Sequence, residues 1–384
     1  MKIALVDTII VKNDAVSNVA RDRYFAIKEY FKNQPVEIKA YSLKNDYSWQ
    51  ETVIIRHPFE VVYKDFFSHD IYIFSWAIFS PFFPFIRIIK EMNPRAKVII
   101  RFHNVTPIEL VAANTKNLIL ESYKQFVLFD LADKIWADSE FNKQDLLNYG
   151  IKAEKIEVLP PAIQFKSSKP LLLNELLAHK KTSKINLLFV GRFYPSKGVH
   201  DLIEACRYIL KQGVDNFKLT LVSSLRFSDP LYLKKGLDLI KVYRLDSHIE
   251  FVEDVTEHEL EEIFKRTHIF VTASLHEGFC VPIVEALYYG CYPIAYHNSN
   301  LPYIINQLGQ TVDNKNVEDL AECLFKITSA FSNAHELEQL KVEVKGVMTP
   351  YSDFLELAIQ YARSFEQESI NEKFFRLFDK IALC

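Results

Sequence analysis

Glycine is scarce in this chain, with nine in 384 residues, where ordinary usage near 7% would supply about 27. The shortage excludes collagen-like and Gly/Ser low-complexity organisation. It also weakens any fold that needs glycine at every tight turn. Cysteine is sparse as well. The five cysteines (Cys206, Cys280, Cys291, Cys323, Cys384) all lie in the second half, and none stands in C-x-x-C spacing. That fits reduced thiols, not a disulfide framework or a zinc site. Neither sign of charge dominates: 46 Lys and Arg stand against 49 Asp and Glu, for a net charge of −3. No basic field exists to gather nucleic acid, so no nucleic-acid partner is expected. Long hydrophobic runs are missing too. The longest, Ile71 to Ile86, has 16 residues with Pro81 and Pro84 inside it, short of the ~20 needed to span a bilayer. The opening apolar strand meets Asp7 too soon for a signal peptide. These absences together lead us to expect a cytoplasmic protein.

What is abundant is core-forming. The chain holds 30 Phe, 19 Tyr and 49% hydrophobic residues, and at ~100–200 residues per domain its length suggests two domains. Apolar β-rich runs alternate with helical patterns, the rhythm of parallel sheets with crossover helices. In the first half, strands are expected at Ile3–Val6, Val36–Tyr41, Thr52–Ile55, Ile71–Phe74, Lys97–Arg101, Lys134–Trp136 and Ile156–Leu159. Pro160-Pro161 then stops the pattern, and a lysine-bearing stretch (Lys166, Lys169, Lys180, Lys181, Lys184) follows before the rhythm restarts at Ile185. We therefore divide the chain into a first α/β domain at 1–163, a linker at 164–184, a second α/β domain at 185–347 and a helical tail at 348–384.

Two segments of the second half carry candidate chemistry. The first is Gly191-Arg192-Phe193-Tyr194-Pro195-Ser196-Lys197-Gly198, which follows the buried strand Ile185–Val190 and opens a helix. A helix N-terminus offers unpaired N–H groups and a positive dipole, so anions bind there. Arg192 suits bidentate recognition of phosphate, Lys197 is a compact point charge, and Ser196 is placed to cap the helix. Neither G-x-x-x-x-G-K-[ST] nor G-x-G-x-x-G occurs, so a P-loop and a dinucleotide fingerprint are unsupported. Two solvated cations beside an ordinary turn would look the same. The second segment runs Ser274-Leu275-His276-Glu277-Gly278-Phe279-Cys280-Val281-Pro282-Ile283-Val284-Glu285. Glu277 sits at the carboxyl end of strand Ile269–Thr272, where ligands bind in open α/β sheets. Glu285 falls among apolar neighbours one turn into a helix, so it either faces a site or needs a buried partner. The amides from Gly278 to Val281 form a second anion cradle.

Together, Gly191-Arg192-x4-Lys197-Gly198 and the later Glu277-x7-Glu285 resemble the family 4 retaining glycosyltransferases. So do Ala132-Asp133-Lys134-Ile135-Trp136-Ala137-Asp138-Ser139-Glu140-Phe141 and the run from Gly150 to Pro161, so the resemblance covers most of the chain. It implies the GT-B fold: two Rossmann-like doubly wound α/β domains facing a deep cleft, with a C-terminal helix crossing back to the first domain. It also implies roles. Arg192 and Lys197, with Gly191, would hold the diphosphate of a nucleotide-sugar donor and stabilise the leaving group. Glu285 would bond the ribose hydroxyls. Glu277 would contact the donor sugar, and Gly278, Phe279, Cys280 and Val281 the phosphates or sugar. His103, in Arg101-Phe102-His103-Asn104-Val105-Thr106-Pro107, matches a donor-facing histidine, and Ser139 would line the same cleft. The family's favoured mechanism is front-face attack on an oxocarbenium-like species. No D-x-D pair is present, so no metal clamp is indicated, and no bound cofactor is expected beyond the co-substrate.

The chain departs from the family where glycine is missing. Ile10 to Asn18 replaces a glycine-rich first loop, with Asn13-Asp14 expected to supply left-handed backbone. Cys280 replaces the second glycine of Glu-Gly-Phe-Gly, and Ser223-Ser224 and Glu253-Asp254 stand where glycines are common. The segment Phe79-Ser80-Pro81-Phe82-Phe83-Pro84-Phe85-Ile86 has two readings: an exposed patch making peripheral membrane contact, or a buried loop under the sheet. The expected activity is metal-independent, retaining hexosyl transfer from a nucleotide diphosphate sugar to a glycan or lipid-linked acceptor, as in surface polysaccharide synthesis at the inner membrane face. GDP-mannose is favoured over a UDP-hexose, because Tyr296-His297-Asn298 to Leu301-Pro302 resembles mannosyltransferase relatives. A non-catalytic nucleotide-sugar-binding partner and a GT-B epimerase stay open as rivals.

Overall fold

The computed structural model of the protein describes residues 1–12, 14–47, 49–165, 172–224, 228–334 and 336–382. Asn13 of the first loop and Lys166 and Lys169 of the expected linker lie outside the described residues. The chain forms two units, Met1–Ile163 with Gln367–Cys384, and Gln164–Glu366. The helices in chain order are α1 (Ala15–Tyr30), α2 (Phe85–Met92), α3 (Lys116–Lys124), α4 (Glu140–Asn148), α5 (Leu173–His179), α6 (Val199–Lys211), α7 (Pro230–Val242), α8 (Glu257–Arg266), α9 (Val281–Tyr288), α10 (Leu301–Ile305), α11 (Val317–Asn333), α12 (Tyr351–Arg363) and α13 (Gln367–Ala382).

The first unit is built on β1 (Lys2–Val6), β2 (Glu37–Ser42), β3 (Thr52–Ile54), β4 (Ile71–Trp76), β5 (Lys97–Phe102), β6 (Lys134–Ala137) and β7 (Ile156–Val158). Their order is β3-β2-β1-β4-β5-β6-β7, and every pairing is parallel. β4 reads Ile-Tyr-Ile-Phe-Ser-Trp and is buried at each position, as a parallel strand covered on both faces must be. One face holds an aromatic core that includes Phe74, Trp76, Phe82, Phe83, Phe102 and Phe129. Phe82, Phe83 and Ile86 have no exposed surface, so the segment 79–86 is a buried loop leading into α2 and not an exposed patch. The other face is closed by α1 and α13, whose Ile370, Phe374, Leu377 and Phe378 pack on Ile73, Ile99 and Trp136. The expected helical tail is thus shared: α12 packs in the second unit and α13 returns to the first.

The second unit repeats the plan with β8 (Ile185–Val190), β9 (Phe217–Ser223), β10 (Ile249–Glu253), β11 (Ile269–Thr272), β12 (Tyr292–Tyr296) and β13 (Gln310–Val312). The order is β10-β9-β8-β11-β12-β13. Helix α5, within the stretch expected as a linker, belongs to this unit. A hairpin, β14 (Lys341–Val344) and β15 (Val347–Pro350), precedes α12. In both sheets the strand order reverses once, between β1 and β4 and between β8 and β11. A crevice opens at such a switch point, beyond the carboxyl ends of the strands.

Local signals explain where several helices start. Thr256 and Glu259 form the capping box of α8, and Asp229 caps α7 by accepting from Leu231 and Tyr232. Asp14 caps α1, accepting from the Ser17 amide at 2.9 Å, with φ at −121°. It does not supply the left-handed turn expected of it, because an N-cap residue takes extended backbone. Asp254 does take left-handed backbone, with φ at +45°.

Candidate active site

Both sequence-singled segments of the second unit converge on its switch point. The first leaves β8 and the second leaves β11, the two neighbouring strands that run into opposite crossovers. Gly198 fastens them together. Its φ is +61°, and a Cβ on it would stand 2.1 Å from the Ala273 carbonyl oxygen, so no side chain fits. The Leu275 amide also donates to the Ser196 carbonyl at 2.7 Å. Ser196 does not cap α6; it lies in a short 3-10 turn, and Gly198 occupies the N-cap. Left-handed backbone is needed there, and serine tolerates it poorly. Gly191 has a different reason. A Cβ on it would meet the Phe189 ring at 2.9 Å.

The clamp brings Lys197 and Glu277 into contact. Lys197 Nζ donates to Glu277 Oε1 at 2.6 Å, with the side chains 18% and 13% exposed. Burial pushes the Glu277 carboxyl up, yet the Lys197 ammonium and its hydrogen bond hold it below the ordinary value. The Glu277 amide donates to Ser299 Oγ at 2.9 Å. Asn298 Nδ2 reaches the Ser274 carbonyl at 2.9 Å, and Asn300 Nδ2 the Phe279 carbonyl at 2.8 Å. The turn at 298–300 therefore braces the Glu277 loop, a role its sequence did not announce. Arg192 is exposed and makes no ion pair among the described residues.

Helix α9 opens beside Glu277. Its N-cap is Cys280, with φ at +76° and no capping side chain. Pro282 stands in its first turn. The thiol is pushed well up by burial, so it stays neutral and is no nucleophile. The Phe279 side chain is buried against Phe365, ring centroids 5.6 Å apart; only its backbone is available to a ligand. Glu285, one turn into α9, is half-buried. No cation or hydrogen-bond donor partners it among the described residues. Burial alone pushes its carboxyl up to about 7. An acceptor left unpaired one turn into a helix is arranged to take hydroxyl donors.

The first unit presents a separate polar cluster at the carboxyl end of its sheet. His103 follows β5, and its Nδ1 bonds Asp138 Oδ2 at 2.7 Å. Arg101 Nε donates to Asp138 Oδ1 at 2.7 Å. Burial pushes the Asp138 carboxyl up, but the Arg101 and His103 charges hold it below its ordinary value. With Asp138 ionised, Nδ1 carries the proton and Nε2 is the ring nitrogen left over. Nε2 is buried with no partner among the described residues. Beside it, Arg23 grips Asp7 with bonds of 2.9 and 2.8 Å and reaches Ser75 at 3.1 Å. Ser139 caps α4, accepting from the Asn142 amide at 3.1 Å. Asp138, Arg101, Asp7 and Arg23 were not singled out from sequence. The only available signal was charge at the ends of apolar strands, where a buried carboxylate needs a cation.

Two α/β units with these strand orders have the GT-B fold. The HepE structure from Anabaena, solved with UDP, has this fold: the two superpose at a TM-score of 0.70 over 99% of this chain and 100% of that one, with 15% identity. Residues 177–342 match the family model for glycosyl transferases group 1. Among relatives, trehalose synthase of Thermococcus litoralis is 27% identical over 161 residues, 38% of either chain. The serotype-specific mannosyltransferase WbdA of Escherichia coli is 23% identical over 207 residues, 52% of this chain and 25% of its own. The chain thus spans well under two thirds of the length of these relatives.

Proposed function

We propose that the chain is a retaining, metal-independent glycosyltransferase that moves a hexose from a nucleotide diphosphate sugar to a glycan or lipid-linked acceptor. The Lys197–Glu277 pair at the switch point carries this reading. Cleavage of the anomeric C–O bond leaves negative charge on the diphosphate and positive character on the sugar. Lys197, Arg192 and the α9 N-terminus supply fixed positive charge for the former. Glu277, kept ionised by Lys197, accepts from sugar hydroxyls and favours the cationic ring. Glu285 accepts from the ribose hydroxyls. His103 offers Nε2, oriented through Asp138, as a hydrogen-bonding end for a sugar hydroxyl.

GDP-mannose is the donor we place first. Its support is the Tyr296–Pro302 stretch and the mannosyltransferase relative; the UDP found in the HepE structure supports a UDP-hexose as the alternative. Thermal shift and donor hydrolysis separate them. GDP and GDP-mannose are expected to raise Tm, with GDP-mannose hydrolysed faster than UDP-glucose. A reversed order would reassign the nucleotide and sugar. No shift with any nucleotide diphosphate would remove the donor site.

A further inference from the structure

A pocket of about 30 Å³, partly open to solvent, lies in the first unit. Its wall includes Asp22 and Arg23 of α1, Arg101 of β5, Trp136 of β6 and Gln367 of α13. Three N–H donors of these residues have no hydrogen-bond partner among the described residues: Arg23 Nε, Arg101 Nη2 and Trp136 Nε1. The three residues are 6%, 4% and 1% exposed. Buried polar groups in folded chains are nearly always paired. Neither guanidinium is free to turn away, because Asp7 and Ser75 hold Arg23 and Asp138 holds Arg101. Three fixed donors on one small cavity call for an acceptor inside it.

We propose that this cavity is a binding site for a monovalent anion of chloride size. A water accepts two hydrogen bonds and donates two, whereas an anion accepts all three and has nothing to donate. The pocket has room for a particle of water or chloride size. The wall's carboxylate, Asp22, is matched by Arg21, whose Nε and Nη2 both reach Oδ1 at 2.8 Å. Gln367 Oε1, on the same wall, is a buried side-chain acceptor with no partner among the described residues. The Gln367 amide nitrogen bonds Asn371 Oδ1 at 2.7 Å. Turning both amides over keeps that bond and aims a fourth donor into the cavity. Arg101 links the site to Asp138 and, through it, to His103. It is a positioning residue, with the anion steadying its far end.

The full chain, compared in sodium chloride, bromide and gluconate at equal ionic strength, tests this. Chloride is expected to raise Tm by several degrees over gluconate, and bromide to quench tryptophan fluorescence in a saturable manner. Trp136→Phe should abolish the saturable part. Gln367→Glu, which puts a fixed negative charge on the wall, should erase the difference between chloride and gluconate while the chain stays folded. Equal Tm in the three salts, or quenching that is linear and unchanged in Trp136→Phe, would overturn the proposal and leave water as the occupant. These readouts need no glycosyl transfer, so they fail or succeed independently of the proposed activity.

Discussion

At the scale of single residues, Glu285 and Cys280 each hold a state the folded chain resists. The Glu285 carboxyl sits at about 7 in the folded chain against 4.5 ordinarily. Its ionised form is penalised on folding, so this group's share of stability is intact below about 4.5 and lost as pH rises through 7. Glu285→Gln is therefore expected to stabilise the chain at pH 8 by about 2–3 kcal/mol and to change little at pH 4, as denaturant melts at the two pH values can measure. In the proposed site ribose hydroxyls would donate to the ionised form, so nucleotide affinity should climb from pH 6 to 8 in the natural chain and stay flat in Glu285→Gln. Calorimetric titration reads that slope. Cys280 holds φ at +76°, where a non-glycine residue costs about 1–2 kcal/mol. Cys280→Val, branched at Cβ, is expected to unfold at clearly lower denaturant. Cys280→Gly should fall within about 1 kcal/mol of the natural chain, since relief of strain is offset by extra unfolded-state entropy. Glu277 and Glu285 were legible because their spacing sits between a strand end and a proline-opened helix. Asp138 was not, because its partners Arg101 and His103 lie 37 and 35 positions away, and no local spacing rule joins them.

At the scale of elements, the loop after β8 works only because the loop after β11 is pressed against it. Gly198→Ala must displace the Ala273 carbonyl and adopt a left-handed backbone. A loss above about 2 kcal/mol is expected, along with loss of nucleotide binding as Lys197 leaves Glu277; one thermal melt with and without nucleotide reads both. Helix α13 is held by its apolar face. Phe374, 5% exposed and edge-on to Trp136, should cost about 3–5 kcal/mol when replaced by alanine, with the loss confined to the first unit's transition. The strand rhythm of both halves was legible from buried apolar runs bounded by breakers. The short edge strand β13 and the hairpin β14–β15, three and four residues long, were missed: Gln310, Lys341 and Glu343 break their apolar runs. Where the tail divides was also unreadable, since α12 and α13 are both amphipathic and pattern alone does not say which sheet each one covers.

At the scale of the whole molecule, two sheets of like order place two chemistries at corresponding positions. The second unit gathers cations, a helix N-terminus and an unpaired carboxyl; the first holds a buried His–Asp–Arg cluster. The scarcity of glycine fits that division. Gly191 and Gly198 remain where backbone or ring crowds the chain, and Cys280 and Asp254 take positive φ without glycine. Among the described residues no helix is long and apolar enough to cross a membrane. The most direct measurement of the proposed chemistry is single-turnover hydrolysis of a nucleotide diphosphate hexose by the natural chain and by Lys197→Ala. A fall of about 10²–10³-fold is expected, the effect of removing one preorganised charge from a developing oxyanion. Turnover unchanged in Lys197→Ala would contradict the leaving-group role, and with it the reading of the Lys197–Glu277 pair as the centre of the site.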